Sequence, residues 1–200
     1  MASSRGAGIS LLKANGNLCE MEEKEWYYFK NRKKYENKIM QQYIANPYLL
    51  ETGPLKGRKF DIRQWVLLVS GDSQIATYLY HTAYCRFASN PYSLVRLDSD
   101  IHLTNYSLHQ QEGPSVMMLE ELFAAAKEDL RSKYHQQATY IVKQVVSHCP
   151  LQPQQGCFQL LGFDFLLDAG ARLHLLEVNL NPACASQRHP PLQKEAQAMA

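Results

Sequence analysis

The sequence lacks the patterns of several common kinds of site. Its five cysteines are odd in number, widely spaced and without a Cys-x-x-Cys pair, so they indicate neither a disulfide framework nor a zinc site. The seven histidines show no His-x-x-x-His spacing. No persuasive Ser-His-Asp or Cys-His arrangement suggests a nucleophilic enzyme. These absences direct attention to the carboxylates, amides and basic side chains.

Long apolar runs and a strong charge imbalance are also missing. No run approaches the ~20 residues of a membrane-spanning helix, and residues 1–6 lack the apolar core of a secretory signal. The net charge of +2 is too small to indicate nucleic-acid binding. A hydrophobic fraction of 46% in 200 residues is typical of a globular chain that buries a core. We therefore expect an intracellular protein that binds neither membranes nor nucleic acid.

The residue patterns predict a chain that mixes strands and helices, with no internal repeat. Alternating and β-branched segments predict strands over 38–44, 59–70, 74–81, 83–88, 157–168 and 172–180, the last two forming a hairpin through Ala169-Gly170-Ala171. Residues 89–114 show no sustained period and are interpreted as an ordered loop region. Apolar residues at spacings of three and four predict one or two helices within 115–148.

The strand that begins at Lys59 carries three charges on one face. Side chains alternate along a strand, so Lys59, Asp61 and Arg63 share a face. The opposite face is apolar and predicts core positions at Phe60, Ile62, Val66 and Leu68. The charges fit two interpretations, a solvated charge ladder or a polar floor beneath a charged ligand.

The final hairpin places acids among apolar residues. Asp164 lies in the otherwise apolar segment LLGFDFLL, while Glu177 and Asn179 share a face of the partner strand. A turn at Gly170 brings these three side chains together. Carboxylate and amide oxygens are ligands that magnesium prefers. A proton shared between buried acids, or an acid facing solvent on an edge strand, would also explain the pattern.

Three blocks of the sequence together resemble a known family. They are KFDIRQWVL (59–67), HLTNYS (102–107), and GFDF (162–165) followed by LEVNLNP (176–182). They resemble, in order and separation, the signature blocks of the tubulin tyrosine ligase-like family of the ATP-grasp superfamily. The resemblance extends from Ser4 to about Pro182 and implies an ATP-grasp-like α+β fold, an antiparallel sheet flanked by helices.

The resemblance implies an ATP-dependent ligase that adds glycine, glutamate or tyrosine to tubulin through an acyl phosphate, with ATP and Mg²⁺ as cofactors. The residues that match nucleotide contacts of the family are Arg5, Gly6, Gln41, Gln42, Tyr43, Ile44, Lys59, Asp61, Thr104 and Asn105. Those that match the arginines for the amino-acid substrate or the acyl phosphate are Arg63 and Arg86. Those that match the magnesium ligands are Asp164, Glu177 and Asn179.

The sequence departs from the family pattern in three places. A Lys-Pro pair normally precedes the glycine-rich loop but is missing here, the N-terminal domain expected before it is absent, and Leu108-His109-Gln110 replaces a segment that often holds a lysine. We therefore expect residues 4–182 to be a partial catalytic domain lacking the N-terminal part, with 183–200 as a flexible tail. An inactive nucleotide- or tubulin-binding module, and an ATP-grasp ligase with another protein substrate, remain alternatives.

The resemblance also implies partners and a location. Tubulin or microtubules, through their acidic C-terminal tails, and a free amino acid are the expected partners, in the cytoplasm and cytoskeleton including ciliary or flagellar axonemes. The basic stretch from Lys24 to Lys38 could meet an acidic tail, or could simply be a solvated surface segment. The segment from Asn90 to Asp98, with His102, is somewhat nearer to the glycine-adding members.

Overall fold

The protein forms an antiparallel five-stranded sheet with helices against it. The computed structural model describes residues 11, 41–104, 116–126 and 129–182. Their elements are β1 (Arg58–Ser70), β2 (Ile75–Pro91), α1 (Ser99–His102), β3 (Val116–Met118), α2 (Leu119–Ala125), α3 (Leu130–His148), β4 (Phe158–Leu167) and β5 (Leu173–Asn179). The strand order is β3-β2-β1-β4-β5, and every neighbouring pair is antiparallel. The predicted α+β class is confirmed. None of the helices within these ranges is long and apolar enough to cross a membrane.

Three predicted boundaries were wrong. The segments 74–81 and 83–88 are one strand, because the interruption between them is an irregularity in the pairing with β1 and not a turn. The predicted loop over 89–114 contains the end of β2 and the short helix α1. Residues 41–44 of the predicted strand over 38–44 have no strand assignment, and residues 38–40 lie outside the described ranges. Nearby, Pro47 makes a single bridge to Asp168, where a residue without an N–H cannot extend a ladder.

The apolar face of the sheet packs against α3 and forms the core. Helix α3 is capped by Asp129, whose side chain accepts from the Ser132 amide at 3.4 Å. Its buried residues recur every four positions, so they form one stripe toward the sheet. The core positions predicted in β1, which are Phe60, Ile62, Val66 and Leu68, all lie in this cluster. The hairpin adds Leu161, Phe163 and Phe165, with Leu175 and Val178 packed against the cluster.

A buried polar contact fixes α3 over the sheet. The Tyr134 hydroxyl donates to Gln64 Oε1 at 3.0 Å, and Gln64 Nε2 donates to the Tyr80 carbonyl at 2.7 Å. Tyr80 lies in the irregular part of β2, so Gln64 satisfies a carbonyl beside the place where the regular ladder is interrupted. One side chain thereby links β1, β2 and α3.

The β4–β5 hairpin is tightly built around Asp168. Its Oδ1 accepts from the amides of Gly170 and Arg172, both at 2.9 Å, and its Oδ2 lies 2.8 Å from His174 Nε2. Ala171, with φ of 61°, occupies the left-handed region in this turn. The predicted turn is confirmed, and it sets the pairing of Leu167 with Leu173 and of Phe165 with Leu175. A register shift between Asp164 and Phe165 then places Asp164 opposite Glu177.

Candidate functional site

A row of polar and charged side chains crosses the face of the sheet opposite the core. Arg63 of β1 is paired in register with Asp164 of β4, and Asp164 with Glu177 of β5. On the other side of β1, Asp61 is paired with Arg86 of β2. Because paired residues in antiparallel strands project to the same side, the sheet brings together side chains that are far apart in sequence.

Two guanidinium groups share this row of acids. Arg63 donates to both oxygens of Asp164, from Nε to Oδ1 and from Nη2 to Oδ2, the latter at 2.9 Å. Arg86 donates from Nε to Asp61 Oδ1 at 2.9 Å and from Nη2 to Asp61 Oδ2, and its Nη2 lies 2.9 Å from Asp164 Oδ2. The solvated charge ladder is therefore not what forms, since Asp61, Arg63 and Asp164 are only 4%, 7% and 2% exposed.

The ion pairs shift the pKa values of Asp164 and Arg86 in the direction that favours their charged forms. Burial alone would raise the pKa of Asp164, but the hydrogen bond from Arg63 and the charge of Arg86 hold it below its usual range. Burial alone would lower the pKa of Arg86, and the charge and hydrogen bonds of Asp61 raise it well above its usual value. Two guanidinium groups and two carboxylates thus form a compact cluster that is nearly buried on this face of the sheet.

Glu177 and Asn179 extend the cluster onto the edge strand β5. Asn179 Nδ2 donates to Asp164 Oδ2 at 3.2 Å and to Glu177 Oε1 at 3.1 Å. Partial burial raises the pKa of Glu177, the hydrogen bond from Asn179 opposes this, and the neighbouring Asp164 adds to it. The three predicted metal ligands are therefore together, although Glu177 itself is solvent-exposed.

This donor set fits a hard cation. The described residues hold no group of three His, Cys, Asp or Glu side chains suited to a metal, so the set depends on the Asn179 amide. A half-turn of that amide would turn its oxygen toward the two carboxylates in place of its nitrogen. Asp164 Oδ1 accepts only from Arg63 Nε among the hydrogen bonds of the described residues, which leaves it a lone pair. Two carboxylates and an amide oxygen are suited to Mg²⁺ that also keeps water and phosphate ligands.

Gly162 makes room for the Arg63 side chain. A Cβ atom at Gly162 would lie 3.1 Å from Arg63 Cδ, 3.3 Å from Arg63 Nε and 2.8 Å from Pro182 Cβ. The guanidinium therefore reaches Asp164 by crossing a position that carries no side chain. No role was predicted for Gly162, and its place two residues before an acid in an apolar strand was the available signal.

Only some of the residues predicted to contact the nucleotide lie within the described ranges. Lys59 Nζ donates to the Tyr43 hydroxyl at 3.1 Å, and burial lowers the pKa of Lys59 to about 8 while the charge of Asp61 opposes the shift. Thr104 is buried just after α1. Of the other predicted nucleotide contacts in residues 41–44, Gln41 and Gln42 are exposed and Ile44 is half-buried. The predicted Arg5, Gly6 and Asn105 lie outside the described ranges.

The hydrogen bond between Tyr43 and His102 was not predicted from the sequence. Its hydroxyl lies 2.7 Å from Nδ1 of His102, a residue that is 1% exposed. His102 belongs to one of the recognised blocks but received no role. The signal available in the sequence was its place at the start of the HLTNYS block, and its burial in the structure requires hydrogen-bond partners.

Comparison with known proteins identifies the family. The family described as Tubulin-tyrosine ligase matches residues 1–196. Tubulin glycylase 3E of Tetrahymena thermophila is 32% identical over 100% of this chain and 15% of its own length. Tubulin monoglycylase TTLL3 of Danio rerio is 29% identical over 92% of the chain and 25% of its own length, and tubulin polyglutamylase TTLL5 of Mus musculus is 31% identical over 92% and 14%. The chain thus spans a quarter or less of the length of these relatives, and it belongs to the tubulin-tyrosine ligase family.

Proposed function

We propose that this chain carries the acyl-phosphate part of an ATP-dependent ligase that adds glycine, glutamate or tyrosine to tubulin. The observation that carries the proposal is the buried pair of arginines, Arg63 and Arg86, held by two carboxylates on one sheet face beside Glu177 and Asn179. Family membership supports the use of ATP, and the relatives' names supply the amino acids and tubulin as substrate.

The arginines are suited to a transferring phosphoryl group. Each guanidinium uses Nε and Nη2 for carboxylates, which fixes its plane and, among the bonds of the described residues, leaves Nη1 to donate to a phosphoryl oxygen. Preorganised donors stabilise charge that develops in the transition state, because they need no reorganisation during the reaction. We assign Arg63 and Arg86 to the substrate carboxylate or its acyl phosphate, and Lys59 and Asp61 to the nucleotide.

The chemistry needs no nucleophile from the protein. A substrate carboxylate oxygen bonds to the γ-phosphorus of ATP, the bond between that phosphorus and the bridging oxygen breaks, and ADP leaves. The amine of the second substrate then attacks the acyl carbon, loses a proton, and displaces inorganic phosphate to form an amide bond. In both steps Arg63 and Arg86 would hold the phosphoryl oxygens.

Asp164, Glu177 and Asn179 would hold Mg²⁺, which neutralises phosphate charge when bound. Partial burial and the neighbouring Asp164 raise the pKa of Glu177, so a bound cation would favour the charged form of this carboxyl group. The contact between Asp164 and the arginines would orient the remaining lone pair of Asp164 toward the ion.

The proposed partners and location follow from the substrate. Tubulin tails are acidic, so the basic stretch from Lys24 to Lys38 is proposed to meet them, although it lies outside the described ranges. The free amino acid is the second substrate. We place the protein in the cytoplasm at the cytoskeleton, including ciliary or flagellar axonemes, without a membrane or nucleic-acid partner.

The test is transfer by the full chain. Purified protein is incubated with microtubules, ATP and Mg²⁺ and, in separate reactions, radiolabelled glycine, glutamate or tyrosine. We expect label in tubulin that disappears with EDTA or a non-hydrolysable ATP analogue. Glu177→Gln keeps the size of the side chain but removes its charge, so it should weaken binding of Mg²⁺-ATP in calorimetry and nearly abolish transfer. Transfer at the unsubstituted rate with ordinary magnesium dependence would remove Glu177 from the metal site.

A matched control separates the site from general charge loss. Glu120 of α2 is exposed and pairs with Arg131, and such surface pairs contribute only ~0–1 kcal/mol. Glu120→Gln should therefore bind Mg²⁺-ATP and transfer the amino acid like the unsubstituted chain.

A second function, nucleotide or tubulin binding without ligation, is favoured by one observation. Asp164, proposed as a metal ligand, already receives Arg63 and Arg86. ATP binding in calorimetry with no labelled tubulin for any of the amino acids would select this alternative. Label in a protein other than tubulin would instead select an ATP-grasp ligase with another substrate.

A further inference from the structure

The chain beyond β2 folds back onto the segment that precedes β1. The Tyr92 hydroxyl donates to the Ala45 carbonyl at 2.7 Å, so the residue that follows β2 contacts the segment 41–45. Helix α1 then places His102 in the interior, with its ring edge-on to Tyr43 and Tyr92 at centroid distances of 5.5 and 5.6 Å. Three separate parts of the chain therefore meet at His102.

A line of hydrogen bonds runs from this histidine to the surface of the sheet. His102 Nε2 lies 2.6 Å from the Arg96 carbonyl, and His102 Nδ1 lies 2.7 Å from the Tyr43 hydroxyl. The same hydroxyl accepts from Lys59 Nζ at 3.1 Å, and the ammonium also lies 4.4 Å from the centroid of the Tyr43 ring. Both nitrogens of the buried imidazole are thus engaged.

Elementary donor and acceptor chemistry fixes the direction of each bond. A carbonyl only accepts, so His102 Nε2 carries the hydrogen toward Arg96. In the neutral imidazole Nδ1 is then an acceptor, and the Tyr43 hydroxyl donates to it. Lys59 only donates, so the oxygen lone pair of Tyr43 faces its ammonium. The orientation of His102 therefore decides the orientation of the hydroxyl that holds Lys59.

We infer that His102 is a positioning residue, which acts through the Tyr43 hydroxyl to hold the Lys59 ammonium in place for the nucleotide. This inference rests on the proposed function, in which Lys59 contacts ATP. A lysine has a flexible four-carbon stem, and fixing it at the moment of binding costs conformational entropy. A lysine that is already fixed binds the anion with less of that cost.

A histidine that only fills the core would behave differently. Its contribution would come from ring packing on Tyr43 and Tyr92, and it would change the stability of the fold without reaching Lys59. The two roles are separated by the state of Lys59 and by a double-substitution cycle through Tyr43.

The substitutions are chosen to remove or keep one hydrogen-bonding atom. Tyr43→Phe removes the hydroxyl, and Tyr140→Phe, at an exposed tyrosine of α3, is its matched control. His102→Leu removes both ring nitrogens. His102→Asn keeps an oxygen acceptor near the position of Nδ1 but loses the contact with Arg96. Unfolding in urea measures the stability of each variant separately.

The first readout is the affinity of the full chain for ATP by calorimetry. The bond from the Lys59 ammonium to Tyr43 is charge-assisted, and part of its strength reaches the affinity because it fixes the lysine before ATP binds, so we expect Tyr43→Phe to weaken ATP binding about threefold to tenfold. His102→Leu should weaken it by a similar factor, His102→Asn should restore most of the affinity, and His102→Leu should have no added effect in the Tyr43→Phe background. Effects of His102→Leu and Tyr43→Phe that multiply, or an affinity of Tyr43→Phe equal to that of Tyr140→Phe, would overturn the inference.

The second readout needs no nucleotide and separates this inference from the proposed function. Acetylation of Lys59 in the free protein, followed by mass spectrometry across pH, reports the fraction of neutral amine. The Tyr43 hydroxyl accepts a hydrogen bond from the charged amine and so stabilises the charged form. Tyr43→Phe should therefore lower the pH at which Lys59 acetylation begins, while the other titratable groups near Lys59, which are Asp61, His102 and Tyr92, are unchanged. His102→Leu should move it the same way only where Tyr43 is present.

The outcomes are distinct. Unsubstituted protein that fails to bind ATP but shows these acetylation shifts refutes the nucleotide site and keeps the positioning network. Unchanged acetylation in both Tyr43→Phe and His102→Leu refutes the network whatever ATP does. If His102→Leu does not fold, Tyr43→Phe and His102→Asn still decide the matter: the inference fails if Tyr43→Phe leaves Lys59 unchanged or if His102→Asn shifts it as strongly as Tyr43→Phe.

Discussion

Gly162→Ala should damage both the stability and the activity of the protein through a single added methyl group. Gly162 lies in β4 opposite Trp65 of β1. A Cβ atom there would lie 2.8 Å from Pro182 Cβ and 3.1 Å from Arg63 Cδ, whereas carbon atoms pack favourably at about 3.5–4.0 Å. Pro182 must therefore move by about 0.7 Å and the Arg63 side chain by a few tenths of an ångström.

The expected size of the effect follows from what Arg63 holds. Overpacking of a tight site typically costs ~1–3 kcal/mol, so the free energy of unfolding should fall by about that amount. Displacement of the guanidinium also weakens its bonds to Asp164, and a hydrogen bond to a charged group contributes ~1.5–3 kcal/mol. Since 1.4 kcal/mol corresponds to about tenfold, substrate efficiency should fall by about tenfold to a hundredfold.

Urea unfolding followed by tryptophan fluorescence measures the first effect, because Trp65 lies beside the substituted position. Transfer of labelled amino acid to tubulin measures the second. Gly71→Ala is the control, since the nearest atom to a Cβ there is the Gln74 carbonyl oxygen at 3.5 Å, an ordinary contact. Gly162→Ala protein as stable and as active as Gly71→Ala protein would refute the role of Gly162 in placing Arg63.

Three further predictions follow from the same contacts. Arg86→Ala should lower the free energy of unfolding by ~3–5 kcal/mol because it leaves buried Asp61 without its guanidinium. Arg86→Lys should fold, and it should impair amino-acid transfer at least ~10-fold more than it impairs ATP binding. Unchanged transfer kinetics in Arg86→Lys would remove Arg86 from the site. ATP affinity of the unsubstituted chain should decline as the pH rises through about 8, the pKa of Lys59, while Lys59→Arg, whose guanidinium stays charged, should show no such decline; a decline in both would place the titration elsewhere. Tyr134→Phe should cost ~1–3 kcal/mol in urea unfolding because it deprives buried Gln64 of a donor, and equal stability to Tyr140→Phe would show that this donor is dispensable.

Much of the sheet was predictable because strand alternation is a local property. The core positions of β1 and the shared face of Asp61 and Arg63 follow from a period of two residues, and the structure confirms them. The β4–β5 hairpin was predictable as well, since a short turn separates two apolar strands, but the pairing of Asp164 with Glu177 also depends on a register shift between Asp164 and Phe165 that the turn does not determine. The irregular pairing in β2 was not predictable, because a bulge arises from the match between two strands and leaves no turn residue in either.

By itself, the sequence determined which residues share a face, which strands form the final hairpin and, through three blocks, the family to which the chain belongs. Only the tertiary structure decided which of these side chains contact each other. Arg86 reaches Asp61 and Asp164, and His102 reaches Tyr43, because neighbouring strands and a returning loop bring together residues separated by 25, 59 and more positions. Alternation fixes the side of a strand on which a side chain lies, but contacts at such separations depend on strand order and register, which are set by the packing of the whole sheet.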